Sequence, residues 1–378
     1  MGEQGKKVLM GTKCDLLFLT PPFVFLYNQG GSQLTPFQPE TYLLRHPIIG
    51  VYMWIKTRKR MKTLSIIVLM VLSACSQTVM TALPETLPPE QQTTPPSNSQ
   101  EEEQKTMKTL LIIAHRGARS LAPENTLAAA RKAFEAGADM WELDVSVTAD
   151  GELFIMHDDT LERTCNAREV FPDRRPWNVY DFTLAEIRQL DCGTWFTLED
   201  PFQQIAAGNV SVEDQQAYKG EKAPTLREAL ELTKANNKAV NIEIKEQPDE
   251  ATARLAVEKT VALVAELGMD DGKQVVISSF EHEYLRHARE LNSHIPIQIL
   301  TKNQIPDLES YLASFGTNSV NPKLSTWNYK QLKAFSDQGI LANVWTVNEA
   351  EEMKALVDAN VNGIITDFPQ VLRALLQE

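Results

Sequence analysis

The sequence lacks paired cysteines and a surplus of basic residues. Its four cysteines, Cys14, Cys75, Cys165 and Cys192, form no CxxC pair, which argues against a structural zinc site. The formal net charge is -13. Because nucleic-acid backbones are bound by clusters of Lys and Arg, this balance argues against nucleic acid as the main partner. A small anionic substrate stays compatible with it, since a bound metal ion reverses the local charge.

Two further absences concern membranes and nucleotides. The apolar run that starts at Leu64 is about half the roughly 20 residues that a membrane-spanning helix needs. No GxGxxG pattern follows the first predicted strand, so nothing indicates a dinucleotide site. What the chain does have is 43% hydrophobic residues in 378, enough for one or two domains with a full core.

Residues 61–75 have the composition of an export signal. A basic stretch at 58–62 precedes the short apolar run, which ends in the sequence Leu-Ser-Ala-Cys at 72–75. That ending resembles the lipobox of bacterial lipoproteins, and the resemblance implies lipidation of Cys75. A plain secretory signal is the alternative. The interpretation predicts a protein that is exported and anchored by lipid to a bacterial membrane, on its periplasmic or cell-surface side.

The rest of the N-terminal region has no domain-like pattern. A lipoprotein signal normally begins a chain, so we hypothesise that translation starts at Met61 and that residues 1–60 are a gene-start extension or unstructured. Residues 76–106 are rich in Pro, Thr, Gln, Ser and Glu. A segment of that composition cannot bury enough apolar surface to fold and is typical of a flexible tether. The predicted folded domain is residues 107–378.

In this domain, short β-branched or apolar runs alternate with amphipathic segments. Such alternation indicates an α/β fold with a parallel sheet. Eight strands in about 270 residues favour a (β/α)₈ TIM-type barrel, with a doubly wound open sheet as the alternative. The predicted strands are 110–114, 140–147, 239–245, 274–278, 296–300, 319–321, 341–347 and 363–366. The predicted helices are 126–136, 225–235, 251–267, 282–291, 329–337 and 349–358.

Two segments interrupt the alternation after the second strand. An Asp-Gly pair at 150–151 predicts a tight hairpin. A turn centred there places His157 directly opposite Asp144. Residues 165–223, rich in aromatic side chains, predict a cap inserted over the barrel mouth. In an exported protein, Cys165 and Cys192 can form a disulfide within that cap, and two free thiols are the alternative.

Polar side chains cluster at the predicted carboxyl ends of the strands, where barrel enzymes have their active sites. Side chains alternate along a strand, so residues two apart share a face. The three carboxylates, two histidines, one arginine and one lysine at these ends are Glu142, Asp144, Glu243, His115, His157, Arg116 and Lys245. Each alone can be an ordinary structural residue, but their joint placement indicates a site.

These residue types suit the cleavage of a phosphodiester. Three oxygen ligands favour a hard cation such as Ca²⁺ or Mg²⁺. The metal, an arginine and a lysine can neutralise the phosphate. Two histidines can act as base and acid, because imidazole titrates near neutral pH.

From residue 107 to the C-terminus the sequence resembles the glycerophosphodiester phosphodiesterase family. The resemblance rests on motifs that occur in the family's order. They are His-Arg-Gly-Ala at 115–118, Ala-Pro-Glu-Asn-Thr at 122–126, Glu-Leu-Asp-Val at 142–145, Asp-Gly at 150–151, His-Asp-Asp-Thr-Leu-Glu-Arg-Thr at 157–164, Leu-Asp-Cys-Gly-Thr-Trp-Phe at 190–196, Pro-Thr-Leu at 224–226, Ile-Glu-Ile-Lys at 242–245, Val-Trp-Thr-Val-Asn at 344–348 and Thr-Asp-Phe-Pro at 366–369.

The resemblance implies a TIM barrel with an inserted cap and a reaction that yields sn-glycerol 3-phosphate and an alcohol. It implies acid/base roles for His115 and His157, and phosphate binding by Arg116 and Lys245. It also implies one divalent metal, Ca²⁺ or Mg²⁺, on the carboxylates Glu142, Asp144 and Glu243. A related barrel phospholipase or lyase that acts on membrane lipids, and a non-catalytic ligand-binding lipoprotein, are the alternatives.

Overall fold

Residues 110–377, which the computed structural model describes, contain nine β-strands. Eight of them are parallel and follow the order β1-β9-β8-β7-β6-β5-β4-β2, and pairing of β1 with β2 closes the ring. The strands are β1 Leu111–Ala114, β2 Met140–Val147, β3 Leu153–Ile155, β4 Ala239–Ile244, β5 Val275–Ser279, β6 Ile297–Thr301, β7 Ser319–Pro322, β8 Leu341–Val344 and β9 Gly363–Thr366. Closure confirms the (β/α)₈ barrel and excludes the open doubly wound sheet.

Helices surround the ring. Many begin with a side-chain cap on the backbone amides, as at Thr225, Asp249 and Asn328. The helices are α1 Leu127–Glu135, α2 Ala167–Val170, α3 Leu184–Ile187, α4 Thr194–Glu199, α5 Val212–Ala217, α6 Leu226–Ala235, α7 Glu250–Glu266, α8 His282–Leu291, α9 Leu308–Ser314, α10 Tyr329–Asp337, α11 Ala350–Asp358 and α12 Pro369–Leu375. None of those in residues 110–377 combines the length and the apolar composition of a membrane span.

The predicted strands and long helices are confirmed, with ends that shift by a few residues. The sequence missed α9, α12 and the four short helices between β3 and α6. Each has seven residues or fewer, too few for a 3.6-residue period to stand out. The predicted N-terminal extension (1–60), signal (61–75, with Cys75) and tether (76–106) lie outside the described residues.

The predicted register of the hairpin is wrong by one residue. Val145 pairs with Ile155 and Val147 with Leu153, so Met156, not His157, lies opposite Asp144. The Met156 backbone N–H donates to the Asp144 carbonyl at 3.0 Å. The turn holds one more residue than a two-residue loop, and Gly151 takes a left-handed φ of 77° to close it. An odd loop length shifts the pairing by one.

The interior of the barrel carries a chain of amide side chains. Asn362 donates to Asn343 at 2.7 Å, Asn343 to Asn321 at 3.1 Å, and Asn321 to Gln298 at 2.9 Å. These residues are buried, most apolar residues of the strands belong to the cluster shared with the helices, and Ile113, Met140 and Ile365 form a separate apolar cluster. This row of amides links β6, β7, β8 and the start of β9 through side chains, in addition to the backbone hydrogen bonds between the strands.

The segment between β3 and α6 forms a small core together with Phe154 of β3 and the following Met156. Cys165 and Cys192 are joined by a disulfide, so the bonded alternative holds rather than free thiols. Around it lie Leu161, Trp177 and Phe182, all buried. The aromatic residues that suggested a cap therefore mostly pack inside this segment. Its contribution to the mouth of the barrel consists of a few residues after β3, together with Tyr180.

Candidate active site

Three carboxylates meet at the carboxyl ends of β2 and β4. Glu142 and Asp144 share a face of β2, and Asp144 pairs in register with Glu243 on β4. One oxygen from each lies within 4.8 Å of the other two. The structure thus brings together the three residues that the sequence singled out as metal ligands.

Their charges are only partly balanced. Burial raises the pKa of Glu142, and the nearby charges of Asp144 and Glu243 raise it further. Burial and Asp144 likewise raise the pKa of Glu243, to about 7. Burial also opposes ionisation of Asp144, but Arg116 holds the pKa of that carboxyl below its usual value. Carboxylates this close favour an added positive charge, and an all-oxygen donor set fits a hard divalent cation.

Two cationic side chains border the carboxylates. Arg116 Nε lies 3.5 Å from Asp144 Oδ2, and Lys245 Nζ lies 3.5 Å from Glu243 Oε1 and 3.9 Å from Asp144 Oδ1. Arg116 has a left-handed φ of 54°, a conformation that is strained for a residue with a side chain. It allows the Arg116 backbone N–H to donate to Glu142 Oε2 at 2.8 Å.

His115 follows β1 and is held by a carboxylate. Its Nδ1 lies 2.6 Å from Asp367 Oδ1, and Asp367 in turn accepts from the Asn348 side chain at 2.8 Å. Since an ionised carboxylate can only accept, Nδ1 carries the proton and Nε2 has a free lone pair. Burial lowers the pKa of His115, and Arg116 lowers it further, while the bond to Asp367 acts in the opposite direction.

His157 lies at the end of the hairpin and has a matching partner. Its Nδ1 lies 2.7 Å from Asp158 Oδ1. Arg163 holds that aspartate through two bonds, Nε to Oδ2 at 2.6 Å and Nη2 to Oδ1 at 2.9 Å. Both predicted histidines therefore have Nδ1 fixed by an aspartate.

Sequence reasoning assigned no role to Asp367, Asp158, Glu124 or Asn125. The Asn125 side chain donates to Asp144 Oδ2 at 2.8 Å, and Glu124 binds arginines of the site. All four residues stand inside the motifs of the family resemblance. Their positions in those motifs were the available signal, but which atoms they contact depends on the folded chain.

The site opens into a cavity of about 620 Å³. Both histidines, Arg116 and Lys245 line it, together with two of the carboxylates. Aromatic and amide groups complete the walls, among them Tyr180, Phe280, Trp345, Asn241 and Gln247. The cavity is large enough for a small phosphodiester, and two histidines, an arginine and a lysine are among the residues that line it.

Comparisons with known proteins agree on one family. A family model described as the glycerophosphoryl diester phosphodiesterase family matches residues 115–371. A glycerophosphodiester phosphodiesterase of Caldanaerobacter subterraneus subsp. tengcongensis is 34% identical over 276 residues, 72% of this chain and 99% of that protein. The crystal structure of a glycerophosphodiester phosphodiesterase from Agrobacterium tumefaciens has a TM-score of 0.53 at 26% identity, covering 70% of this chain and 100% of that one.

One further solved structure shares the fold. It is an Oleispira antarctica phosphodiesterase in complex with the product sn-glycerol-3-phosphate. The TM-score is 0.59 at 24% identity, and the match covers 71% of this chain and 97% of that one.

Proposed function

This chain belongs to the glycerophosphoryl diester phosphodiesterase family, and from that premise we propose how its residues hydrolyse glycerophosphodiesters. The products are sn-glycerol 3-phosphate and a free alcohol. His115 and His157 transfer the protons, Arg116 and Lys245 bind the phosphate, and one divalent metal completes the site. The observation that carries the proposal is the pair of histidines, each with Nδ1 bound to an aspartate, on the wall of one cavity.

Glu142, Asp144 and Glu243 would hold the metal, Ca²⁺ or Mg²⁺. Their clustering and the raised pKa values of the two glutamates support this assignment. When bound, such an ion neutralises charge on the nonbridging phosphate oxygens. Arg116 and Lys245 add two more positive charges beside the same oxygens.

The two histidines divide the proton transfers. His115 is the base, because burial favours its neutral form and Asp367 leaves Nε2 free to accept. It takes the proton of the neighbouring glycerol hydroxyl as that oxygen attacks phosphorus. His157 gives a proton to the departing alkoxide, which leaves as the alcohol. The product of this step is a cyclic phosphate, which water then opens with the proton transfers reversed.

The first experiment follows glycerol 3-phosphate release from glycerophosphocholine after metal is removed with a chelator and Ca²⁺ or Mg²⁺ is restored. We expect activity to return with one of the ions. His115→Ala and His157→Ala should each lose about 10²-fold or more. His294→Ala, a change at an exposed histidine away from the site, is the matched control.

Activity that survives the chelator would refute the metal assignment, and full activity in either site variant would refute the histidine roles. If intact membrane lipids were cleaved in preference to glycerophosphocholine, the lipid-directed phospholipase alternative would replace this proposal.

We also propose that the protein is exported and lipid-anchored through Cys75. The support is the lipobox-like ending of residues 61–75. The Cys165–Cys192 disulfide is consistent with an oxidising compartment outside the cytoplasm.

A further inference from the structure

Glu124 has no part in the proposed proton transfers, yet three arginines of the site converge on it. The residue is only 5% exposed. Its Oε1 accepts from Arg116 Nη1 at 2.8 Å and from Arg163 Nη2 at 2.7 Å. Its Oε2 accepts from Arg163 Nη1 at 3.2 Å and lies 3.0 Å from Arg119 Nη2. Both carboxylate oxygens are therefore shared between guanidinium groups.

Each arginine leads to a different part of the chemistry. Arg163 binds Asp158, the partner of His157. Arg119 Nε lies 3.8 Å from Oδ1 of Asp367, the atom that holds His115.

The third arginine leads to the phosphate. Arg116 is the proposed phosphate ligand and also lies beside Asp144. One carboxylate thus stands between both histidines and the arginine that binds the reacting group.

The charges explain why this point needs an anion. Three guanidiniums that share one partner lie close enough to repel each other. Only an ionised carboxylate offers enough acceptor positions for all of them. A neutral amide in its place would turn a donor toward at least one arginine. That arginine would then move, and the aspartate bound to it would move as well.

We propose that Glu124 is a positioning residue that keeps His115, His157 and Arg116 aligned with one another. The inference rests on the proposed function, because it assigns no chemistry of its own to Glu124. A purely stabilising ion pair is the competing explanation, and the two differ in what they predict for the steps of the reaction.

The test compares two substrates in the full-length protein. Glycerophosphocholine has a poor leaving group, which needs a proton from His157. The 4-nitrophenyl ester of glycerol 3-phosphate has a good leaving group, which does not, and its nitrophenolate release is followed in a single turnover, before the cyclic phosphate is opened. For Glu124→Gln we expect kcat on glycerophosphocholine to fall about 10²-fold, the effect of small misplacements in active sites. The loss in the single-turnover rate of nitrophenolate release should be about tenfold smaller, because this first step needs no proton from His157.

Arg163→Gln tests the connection to His157 separately from the connections to His115 and Arg116, and it replaces Glu124→Gln if that variant does not fold. Arg163 connects Glu124 only with Asp158, the partner of His157. Its loss should lower kcat on glycerophosphocholine and leave the rate of nitrophenolate release nearly unchanged. Glu228→Gln is the matched control, because Glu228 also binds an arginine, Arg188, through two bonds of 2.8 and 2.9 Å, but does not line the cavity of the histidines. We expect it to change neither kcat on glycerophosphocholine nor the rate of nitrophenolate release.

Several outcomes would overturn the inference. One is a Glu124→Gln enzyme with kcat within twofold of the wild type. Another is an equal loss on both substrates for Arg163→Gln, which would indicate general destabilisation. If the wild-type protein cleaved neither substrate, the proposed function itself would fail, and that result is distinguishable from the others.

Discussion

Asp367 determines which ring nitrogen of His115 faces the cavity. The carboxylate accepts from Nδ1, so Nε2 is left free for the proposed proton transfer. The sequence placed Asp367 in a Thr-Asp-Phe-Pro motif at the end of the last strand, and the predicted barrel placed that strand beside the first, but the sequence could not show that these two side chains meet. Only the closure of the ring, β9 against β1, brings the two residues into contact.

Asp367→Asn tests this arrangement. An asparagine amide can donate to Nδ1 and so favour the other tautomer, with the proton on Nε2. We expect kcat to fall about 10²-fold or more, with a smaller change in KM, because the substrate's own contacts remain. Steady-state kinetics on glycerophosphocholine measures both. Asp270→Asn, whose carboxylate only binds Asn292, should behave as the wild type, and equal kcat for the two variants would refute the role of Asp367.

The raised pKa of Glu243 predicts a pH-dependent stability in the metal-free protein. A group whose pKa is about 7 when folded and 4.5 when unfolded binds its proton more tightly in the folded state. It therefore stabilises the fold below about pH 4.5, and this contribution is lost as the pH rises towards 7 and above. The expected loss in the free energy of unfolding is on the order of 2 kcal/mol. Thermal unfolding between pH 5 and 8, in chelator, measures it.

Two comparisons isolate the cause. Added Ca²⁺ or Mg²⁺ should remove most of the decline, because a bound ion stabilises the ionised carboxylates. Glu243→Gln should reduce it without any metal, and the remaining decline is expected from Glu142, whose pKa burial and Asp144 also raise. A decline that is the same in all three samples would show that other groups cause it.

Strand ends carried most of what the sequence could predict. Alternation along β2 put Glu142 and Asp144 on one face, and the structure agrees. The hairpin was harder, because a loop of two residues and a loop of three can contain the same Asp-Gly pair, and the register shows that the loop here is 149–151. His157 still reaches the site, because the predicted and observed registers differ by only one residue and His157 follows the end of β3.

The loop after β1 gives a test of local packing. Gly117 has a φ of 81°, and a Cβ there would lie 2.6 Å from Ala129 of α1. Gly117→Ala should lower the free energy of unfolding by about 3 kcal/mol, the sum of left-handed strain and overpacking. Gly220→Ala is the matched control, because its φ of 78° is similar but nothing lies within 4 Å.

The control should cost about 1 kcal/mol, the strain alone. Chemical denaturation compares the two variants. Equal losses would mean that α1 moves aside and that close packing does not restrict this loop.

For the chain as a whole, the number of alternating strands and helices indicated a barrel, while the polar interior was not foreseen. The composition of the strands does not show whether their amide side chains face the interior of the barrel or the helices. Which face is which follows from the register around the ring, where Leu300 pairs with Asn321 and Asn343 with Gly363. Sequence pattern alone does not supply that register for so many short strands.

The proposed membrane anchor predicts where the whole protein is found in a bacterial cell. With Cys75→Ser, lipid cannot attach, and we expect the protein to leave the membrane fraction or to remain as an unprocessed precursor. Fractionation and the mass of the mature chain measure this. Ser97→Ala, in the predicted tether at 76–106, should leave the distribution unchanged. Equal membrane association of both variants would refute the anchor.

The hairpin has a consequence for how such enzymes can diversify. His157 follows a strand, β3, that pairs with β2. Only after His157 does the chain enter the segment that the disulfide closes and that contributes most of a small core. Loops of that segment can therefore lengthen, shorten or be exchanged over evolutionary time while the proposed acid/base pair stays in place. New substrate preferences can arise there without rebuilding the chemistry, and grafting the segment from one relative to another is a practical route to altered specificity.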